Sequence, residues 1–322
     1  MFDITSLGEL LIDFTPAGYS ESGMVLYEQN PGGAPANVLT VMSKLGAKTA
    51  FLGKVGNDTH GYFLKKTIEQ EGIQSRGLIL DDKVYTTLAF VSLNPLGERE
   101  FSFSRKPGAD TMLKKEELDL NLIKESKIFH VGSLSLCCEP SRGTTLFALE
   151  YAKEQGCIIS YDPNYRALLW DNKENACHFM RMIIPFADVM KISDEETDLL
   201  TPYKAPEQAA TYLVNQGVTI VVVTLGAKGA YVCTKSGGAM VTGFQSNVVD
   251  TTGAGDSFWG GFLYQFIEGK KALHEVTLDQ AREYTLYANA VASLCVEKRG
   301  AIPSMPSKDE VKARLYQNPV LS

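Results

Sequence analysis

The stretch from Asp250 to Gly269, DTTGAGDSFWGGFLYQFIEG, runs a glycine-rich turn straight into an apolar helix and sets an acid at the junction. Gly253, Ala254 and Gly255 have little or no side chain, so their backbone N–H groups can approach an anion closely at the positive end of the helix that follows. The pattern is that of a phosphate cradle. Asp256 falls in or just before the first turn, where a carboxylate favours the helix and faces whatever the cradle holds. Phe258, Phe262 and Phe266 recur at i, i+4 and i+8 with Trp259, Leu263 and Ile267 beside them, which predicts a helix buried nearly all round. Gly260 and Gly261 each cost about 1 kcal/mol relative to alanine inside a helix, so close packing by another element is expected there, and Gly269-Lys270-Lys271 reads as the stop. An ordinary helix capped by Asp256 is the plainer alternative, and it leaves the small residues and Thr251-Thr252 without a purpose.

The chain has 322 residues, 44% apolar and 21% charged, which suits one large globular core with no apolar run long enough to cross a bilayer. A net charge of −7 with no basic stripe argues against a nucleic-acid surface. The six cysteines show no C-x-x-C pair, and the N-terminus has no basic region ahead of an apolar one, so reduced thiols and a cytoplasmic location are expected. None of the four scattered histidines is assigned a role.

Residues 4 to 14 read as one mostly apolar strand that carries Asp13 near its end. A carboxylate there needs hydrogen bonds, which a polyhydroxylated ligand or a turn would supply equally well. Asn30 to Asn37, NPGGAPAN, opens a helix running to about Leu45, with Gly32 and Gly33 leaving backbone N–H groups open and Asn37 able both to donate and to accept. Thr49 to Val55 is a further strand. Its Gly53-Lys54 is not a P-loop, since the earlier glycine and the following Ser or Thr are missing. Tyr85 to Leu93 and Glu98 to Ser104 alternate around Asn94-Pro95-Leu96-Gly97 as a hairpin that interrupts the βα rhythm.

From Lys127 onward strands near 127–135, 157–162, 188–193 and 219–225 alternate with helices near 142–155, 174–184 and 206–216, which predicts a parallel sheet covered on both faces. Such sheets bind ligands at the carboxyl ends of their strands. Those ends carry Asp162 to Arg166, Ser193 to Glu196 and Thr224 to Gly229, and a long helix spans 279–297. Arg166 offers a planar fork for sugar oxygens or a phosphate, although a surface ion pair is the commoner fate of a loop arginine.

DTTGAGD and NPGGAPAN together resemble the two signatures of the ribokinase-like, phosphofructokinase-B type sugar kinases, and the likeness covers nearly the whole chain. GELLIDFTP from Gly8, GEREFSFSRKPGAD from Gly97 and SYDPNYR from Ser160 are most similar to the fructokinases of that family. The resemblance implies a three-layer α/β, Rossmann-like fold in a single kinase domain over 1–322, with a central mostly parallel sheet and a small β-sheet lid from about 13–30 and 84–106. It implies an ATP- and Mg²⁺-dependent kinase acting on the 6-hydroxyl of fructose, with K⁺ as a further cofactor. Asp256 would be the base and residues 253–255 the anion hole. Asp13, Gly32, Gly33, Asn37, Phe90, Phe103, Arg105 and Arg166 would line the sugar site. Ser193, which replaces the family's Asn, would line the nucleotide site with Glu196, Thr224, Gly226, Gly229, Asn289 and Ser293. Asp250, Thr252, Cys295, Lys298, Gly300 and Ser304 would enclose the monovalent cation. A homodimer through the lid sheet is a further expectation. A 2-keto-3-deoxygluconate kinase, a ribonucleoside-type kinase and a catalytically silent sugar-binding homologue stay open as alternatives.

Overall fold

The computed structural model describes residues 1–93 and 99–316. Its main sheet has nine strands: β1 (Phe2–Leu7), β4 (Thr49–Gly56), β5 (Gln74–Asp81), β8 (Ser126–Val131), β9 (Ile158–Tyr161), β10 (Val189–Ser193), β11 (Ile220–Thr224), β12 (Gly229–Thr234) and β13 (Gly237–Thr242). Their spatial order is β13-β12-β11-β10-β9-β8-β1-β4-β5, parallel except for β12 and β13. The buried strands are nearly continuous apolar runs because helices cover both faces, and residues from the two faces join two separate core clusters. Val189, Ile220 and Val222 face one cluster; Met190, Ile192, Val221 and Val223 face the other. The period of two along a strand makes that division.

A second sheet of four strands, in the order β3-β2-β6-β7, joins β2 (Leu11–Tyr19) and β3 (Val25–Gly32) to β6 (Leu88–Leu93) and β7 (Arg99–Ser104). The expected turn at Asn94 to Gly97 lies outside the described residues. The single strand expected over 4–14 is corrected to two. β1 ends at Leu7, the chain turns through Gly8, Glu9 and Leu10, and β2 joins the second sheet instead. Gly8 packs against Pro35 closely enough that any side chain there would collide with the ring, so the break lies under the start of the next helix. Asp13 therefore belongs to the second sheet, where it pairs with Asn30 and Ala89.

The helix Ala254–Glu268 is buried over most of its length, with Trp259 and Phe262 fully enclosed and stacked 5.0 Å apart. Burying each such ring is worth about 1.5–3 kcal/mol. Gly260 lies against Val41 and the Val38 carbonyl of the helix Ala34–Leu45, and Gly261 against Val291 and Ala288 of the helix Leu278–Cys295. Any side chain at either glycine would strike its neighbour. Three helices are thus clamped together with the turn of residues 250–253 at one end. Gly269 remains right-handed at φ −65°, and Lys270, at φ 51°, takes the left-handed conformation after the helix. Among the described residues no helix is long and apolar enough to cross a membrane.

Candidate active site

Gly253 is the N-cap of the buried helix, at φ 77°, and no side chain caps it. Only glycine takes that left-handed conformation freely, and inside the turn Ala254 N donates to the Thr251 carbonyl at 3.2 Å. Asp256 stands in the first helical turn and does not cap the helix, so the plainer alternative for it fails. It is 6% exposed, and its two oxygens are held from a helix and from a loop. Asn37 Nδ2 donates to Oδ2 at 2.8 Å, and Asn164 Nδ2 donates to Oδ1 at 3.0 Å. Asn37 reaches it from the helix Ala34–Leu45, whose N-cap Gly33 has φ 122° and fits against the Glu9 carbonyl only because it lacks a side chain. Glu9 itself is buried, its Oε1 accepts from Ala34 N at 2.9 Å, and burial raises its pKa to about 7. Asn37 Oδ1 is buried with no hydrogen-bond partner among the described residues.

Asp13 sits in the second sheet beside Gly32, with no hydrogen-bond donor on its carboxylate among the described residues. Burial raises its pKa to about 6, the Arg166 guanidinium lowers it and Asp250 raises it further. Asp13, Arg166 and the cradle's first acid therefore act on one another although they lie far apart in sequence. Strand alternation puts Asn30, Ala89 and Phe103 on the same face as Asp13. Phe90 is corrected. It pairs with Phe14, stacks on that ring at 5.2 Å, and so occupies the opposite face. There Phe14 meets His60 edge-on at 5.8 Å. Arg105 is also set differently from the expectation. Its guanidinium is buried on Asp110, with Nε at 2.9 Å and Nη2 at 2.6 Å, and Nη2 also reaches the Leu134 carbonyl at 3.0 Å.

Glu196 folds back as a capping box: Oε2 accepts from Ser193 N at 2.8 Å and Oε1 from Tyr165 N at 2.7 Å. Ser193 Oγ adds a bond to the same carboxylate at 3.1 Å. Thr224 ends β11 with its hydroxyl donating to the Ile192 carbonyl at 3.3 Å, and Gly226 and Gly229 bound the turn that follows. Asn289 Nδ2 donates to the Val241 and Thr242 carbonyls, and Ser293 accepts from Arg314 at 3.0 Å. Asp250 accepts through Oδ1 from Thr252 N and Oγ1, at 3.0 and 2.7 Å, and through Oδ2 from Gly300 N at 3.1 Å. It thereby ties the loop at 300 to the cradle. Cys295 and Ser304 meet at 3.0 Å behind that tie, and Lys298 turns away to Glu310 at 2.7 Å. Among the described residues no cluster of three His, Cys, Asp or Glu could cage a metal ion. An ion that arrives with phosphates needs only one or two carboxylates from protein.

Three residues have no role of their own in the sequence reading: Asp162 and Asn164, inside the polar strand end 162–166, and Lys191. Lys191 Nζ lies 2.9 Å from Asp162 Oδ2, both side chains being buried. A lysine inside the apolar run Val189-Met190-Lys191-Ile192 was the signal available.

The pfkB family carbohydrate kinase model matches residues 1–308. The chain is similar to the probable fructokinase-4 of Arabidopsis thaliana, 42% identical over 318 residues that cover 98% of this chain and 97% of the relative. It is also similar to the crystal structure of a fructokinase with bound ATP from Xylella fastidiosa, with a TM-score of 0.89 at 32% identity and 98% of each chain covered. A fructokinase double mutant from Vibrio cholerae O395, in its fructose-, ADP- and potassium-bound form, gives a TM-score of 0.85 at 32% identity, again over 98% of each chain.

Proposed function

The chain belongs to the pfkB family of carbohydrate kinases, and from that premise we propose which residues move the γ-phosphoryl group of ATP onto the 6-hydroxyl of D-fructose to give fructose 6-phosphate and ADP. One observation carries the assignment. Asp256 is buried at the opening of a helix, beside three amides with little or no side chain, and both its oxygens are held by asparagines from two other elements. It takes the hydroxyl proton, orienting that oxygen for in-line attack, while the 253–255 amides receive the charge that spreads over the transferred phosphoryl group.

Asp13 and Arg166 hold sugar hydroxyls, Asn37 Oδ1 accepts from another, and the 32–33 backbone and Phe103 close the pocket. The second sheet is the lid, which excludes water from the reacting atoms. A carboxylate without a hydrogen-bond donor among the described residues, held up at about pKa 6, supports Asp13 as a ligand-binding group, since a donor from the sugar would relieve it. Ser193, Glu196, Thr224, Gly226, Gly229, Asn289 and Ser293 line the nucleotide side. Mg²⁺, when bound with ATP, neutralises phosphate charge, and the acid available to its shell is Glu196. The tie from Asp250 to Thr252 and Gly300 supports a K⁺ position completed by the 295–304 loop. A cytoplasmic location is supported by six cysteines that are all free.

In the 2-keto-3-deoxygluconate reading Arg105 and Arg166 would hold a carboxylate, and the Arg105–Asp110 pair disfavours it. A homodimer through the lid is supported by edge strand β3, where Val25, Leu26 and Tyr27 are exposed, as is Met24 just before it. An ADP-release assay across a sugar panel tests the substrate. Fructose should give the highest kcat/KM, and a larger value for 2-keto-3-deoxygluconate or a ribonucleoside would replace it.

A further inference from the structure

Strand β10 brings one cation into the apolar interior. Lys191 is 5% exposed, between Met190 and Ile192, which are fully buried. It points to the side of the sheet covered by the helix Ala254–Glu268, and its Nζ lies 2.9 Å from the place a side chain on Gly255 would begin. The ammonium therefore lies directly against Gly255 of the glycine turn.

Its ion-pair partner leads back to the base. Asp162 accepts from Lys191 through Oδ2 at 2.9 Å and from Asn164 N through Oδ1 at 3.2 Å. Asn164 has φ 47°, a conformation that a residue with a side chain rarely adopts without support. That backbone turn aims its Nδ2 at Asp256. Tyr165 N, the next donor along, is held by Glu196. Burial works against the charge on Lys191, but the carboxylates of Asp162, Glu196 and Asp256 outweigh it and favour the protonated form. Around the cradle, three buried acids thus stand against one cation.

We propose that Lys191 is a positioning residue of phosphoryl transfer: a fixed cation against Gly255 that offsets the neighbouring acids where phosphoryl charge must arrive and, through Asp162 and Asn164, sets the aim of Asp256. The inference rests on the kinase reading above. A cation held against the cradle in a site of low dielectric acts on developing negative charge without reorganising. Its contacts are Asp162 and Gly255, so as a residue that acts through the cradle and the base its loss should fall on kcat.

The test uses Lys191→Met and the double variant Lys191→Met, Asp162→Asn in the full chain, with fructose and ATP varied separately. Removing one partner of a buried pair can unfold a protein, whereas replacing both by neutral groups of similar size is often tolerated, so the double variant keeps the test open. Both variants should lose about 10²-fold in kcat, with each KM within about threefold of wild type. If the pair only fills space, the double variant recovers kcat to within about threefold of wild type, and the proposal is overturned. It is equally overturned if kcat holds while both KM values rise. A wild-type enzyme that phosphorylates no sugar would defeat the kinase reading instead, which separates the two failures.

Discussion

Asn164 Nδ2 donates to Asp256 Oδ1 at 3.0 Å across 92 residues of sequence, from a backbone held at φ 47°. With Asn37 on the other oxygen, the carboxylate is gripped at both ends by neutral amides. Two such donors fix its plane without neutralising it, as an arginine would. Each carboxylate oxygen has a second lone pair, so one remains for a hydroxyl.

Asn164→Gly separates the backbone from the amide. Glycine accepts φ 47° without strain, so the loop should keep its course and the melting temperature should change little. The loss of one hydrogen bond to a charged group is worth about 1.5–3 kcal/mol, so kcat should fall roughly 10- to 100-fold with KM for ATP unchanged. Steady-state kinetics beside a calorimetric melt give both numbers. Wild-type kcat in a folded Asn164→Gly protein would mean that Asn37 alone suffices.

Asp13 gives a pH dependence of definite sign. Its pKa is raised from 3.8 to about 6, by burial first and then by Asp250, with Arg166 opposing. Between those two values the native state binds more protons than the unfolded chain, so stability falls as pH rises through that window. Above about pH 6 the full penalty applies, at most about 3 kcal/mol and less where solvent screens the half-buried carboxylate. Asp13→Asn should therefore raise the melting temperature at pH 7.5 and have little effect at pH 4. The same variant should raise KM for fructose and leave KM for ATP alone. Equal shifts at both pH values would show that Asp13 carries no raised pKa.

The β/α alternation from 127 onward was legible because strands β8 to β11 are largely buried and read as mostly apolar runs. The same property hid the break at Gly8 to Leu10. Leu7, Leu10, Leu11 and Ile12 are all buried, so an apolar count runs straight across a change of sheet. Strand β3 left no signal, since Val25 to Gln29 are exposed and backbone pairing with β2 holds them. At the site, the glycine turns announced themselves by composition. Asn164 and Lys191 did not, because each is a single polar residue whose meaning comes from what the fold places beside it. Phe90 failed for a simpler reason: a strand shows alternate residues to opposite faces, and the face that Asp13 uses was fixed only by register.

The exposed run on β3 should mediate self-association. Leu26 and Tyr27 are 48% and 44% exposed on an edge strand. Leu26→Lys should convert a dimer to a monomer in light scattering, since a lysine on an exposed strand edge opposes pairing. A wild-type protein that is monomeric at micromolar concentration would end this proposal, and with it the role of the lid as an interface.

Potassium should raise activity if the tie from Asp250 to Gly300 is completed by a monovalent cation. Glu297 is engaged with Arg314 at 2.7 Å and Lys298 with Glu310 at 2.7 Å, so both side chains already have partners of their own. Carbonyl and carboxylate oxygens are hard ligands, and a cation fixing them would steady the adjacent cradle. Rates in potassium and tetramethylammonium chloride at matched ionic strength decide it. Equal rates would mean that hydrogen bonds alone hold the loop.

Asp256→Asn exposes the mechanism most directly. Gly253 is the N-cap and Asp256 caps nothing, so the substitution removes no helix-capping bond. It does set a new NH₂ group against one of the two amide donors. Asn37 can answer by rotating its amide, because its Oδ1 is buried without a partner and would then accept from the new group. Folding should survive with a loss of no more than about 1–3 kcal/mol, the range for one mispaired buried group. Chemistry should not survive. An amide cannot take the proton of the sugar hydroxyl, so kcat should fall by about 10²–10⁴ while KM for fructose and ATP changes little. A loose transition state lets the proton leave late, so the carboxylate's first task is to orient the hydroxyl, and an amide fails in that as well once its acceptor is turned to Asn37 or Asn164. A folded Asp256→Asn protein that phosphorylates fructose at close to the wild-type rate would place the base elsewhere and leave the two asparagines as packing around a buried acid.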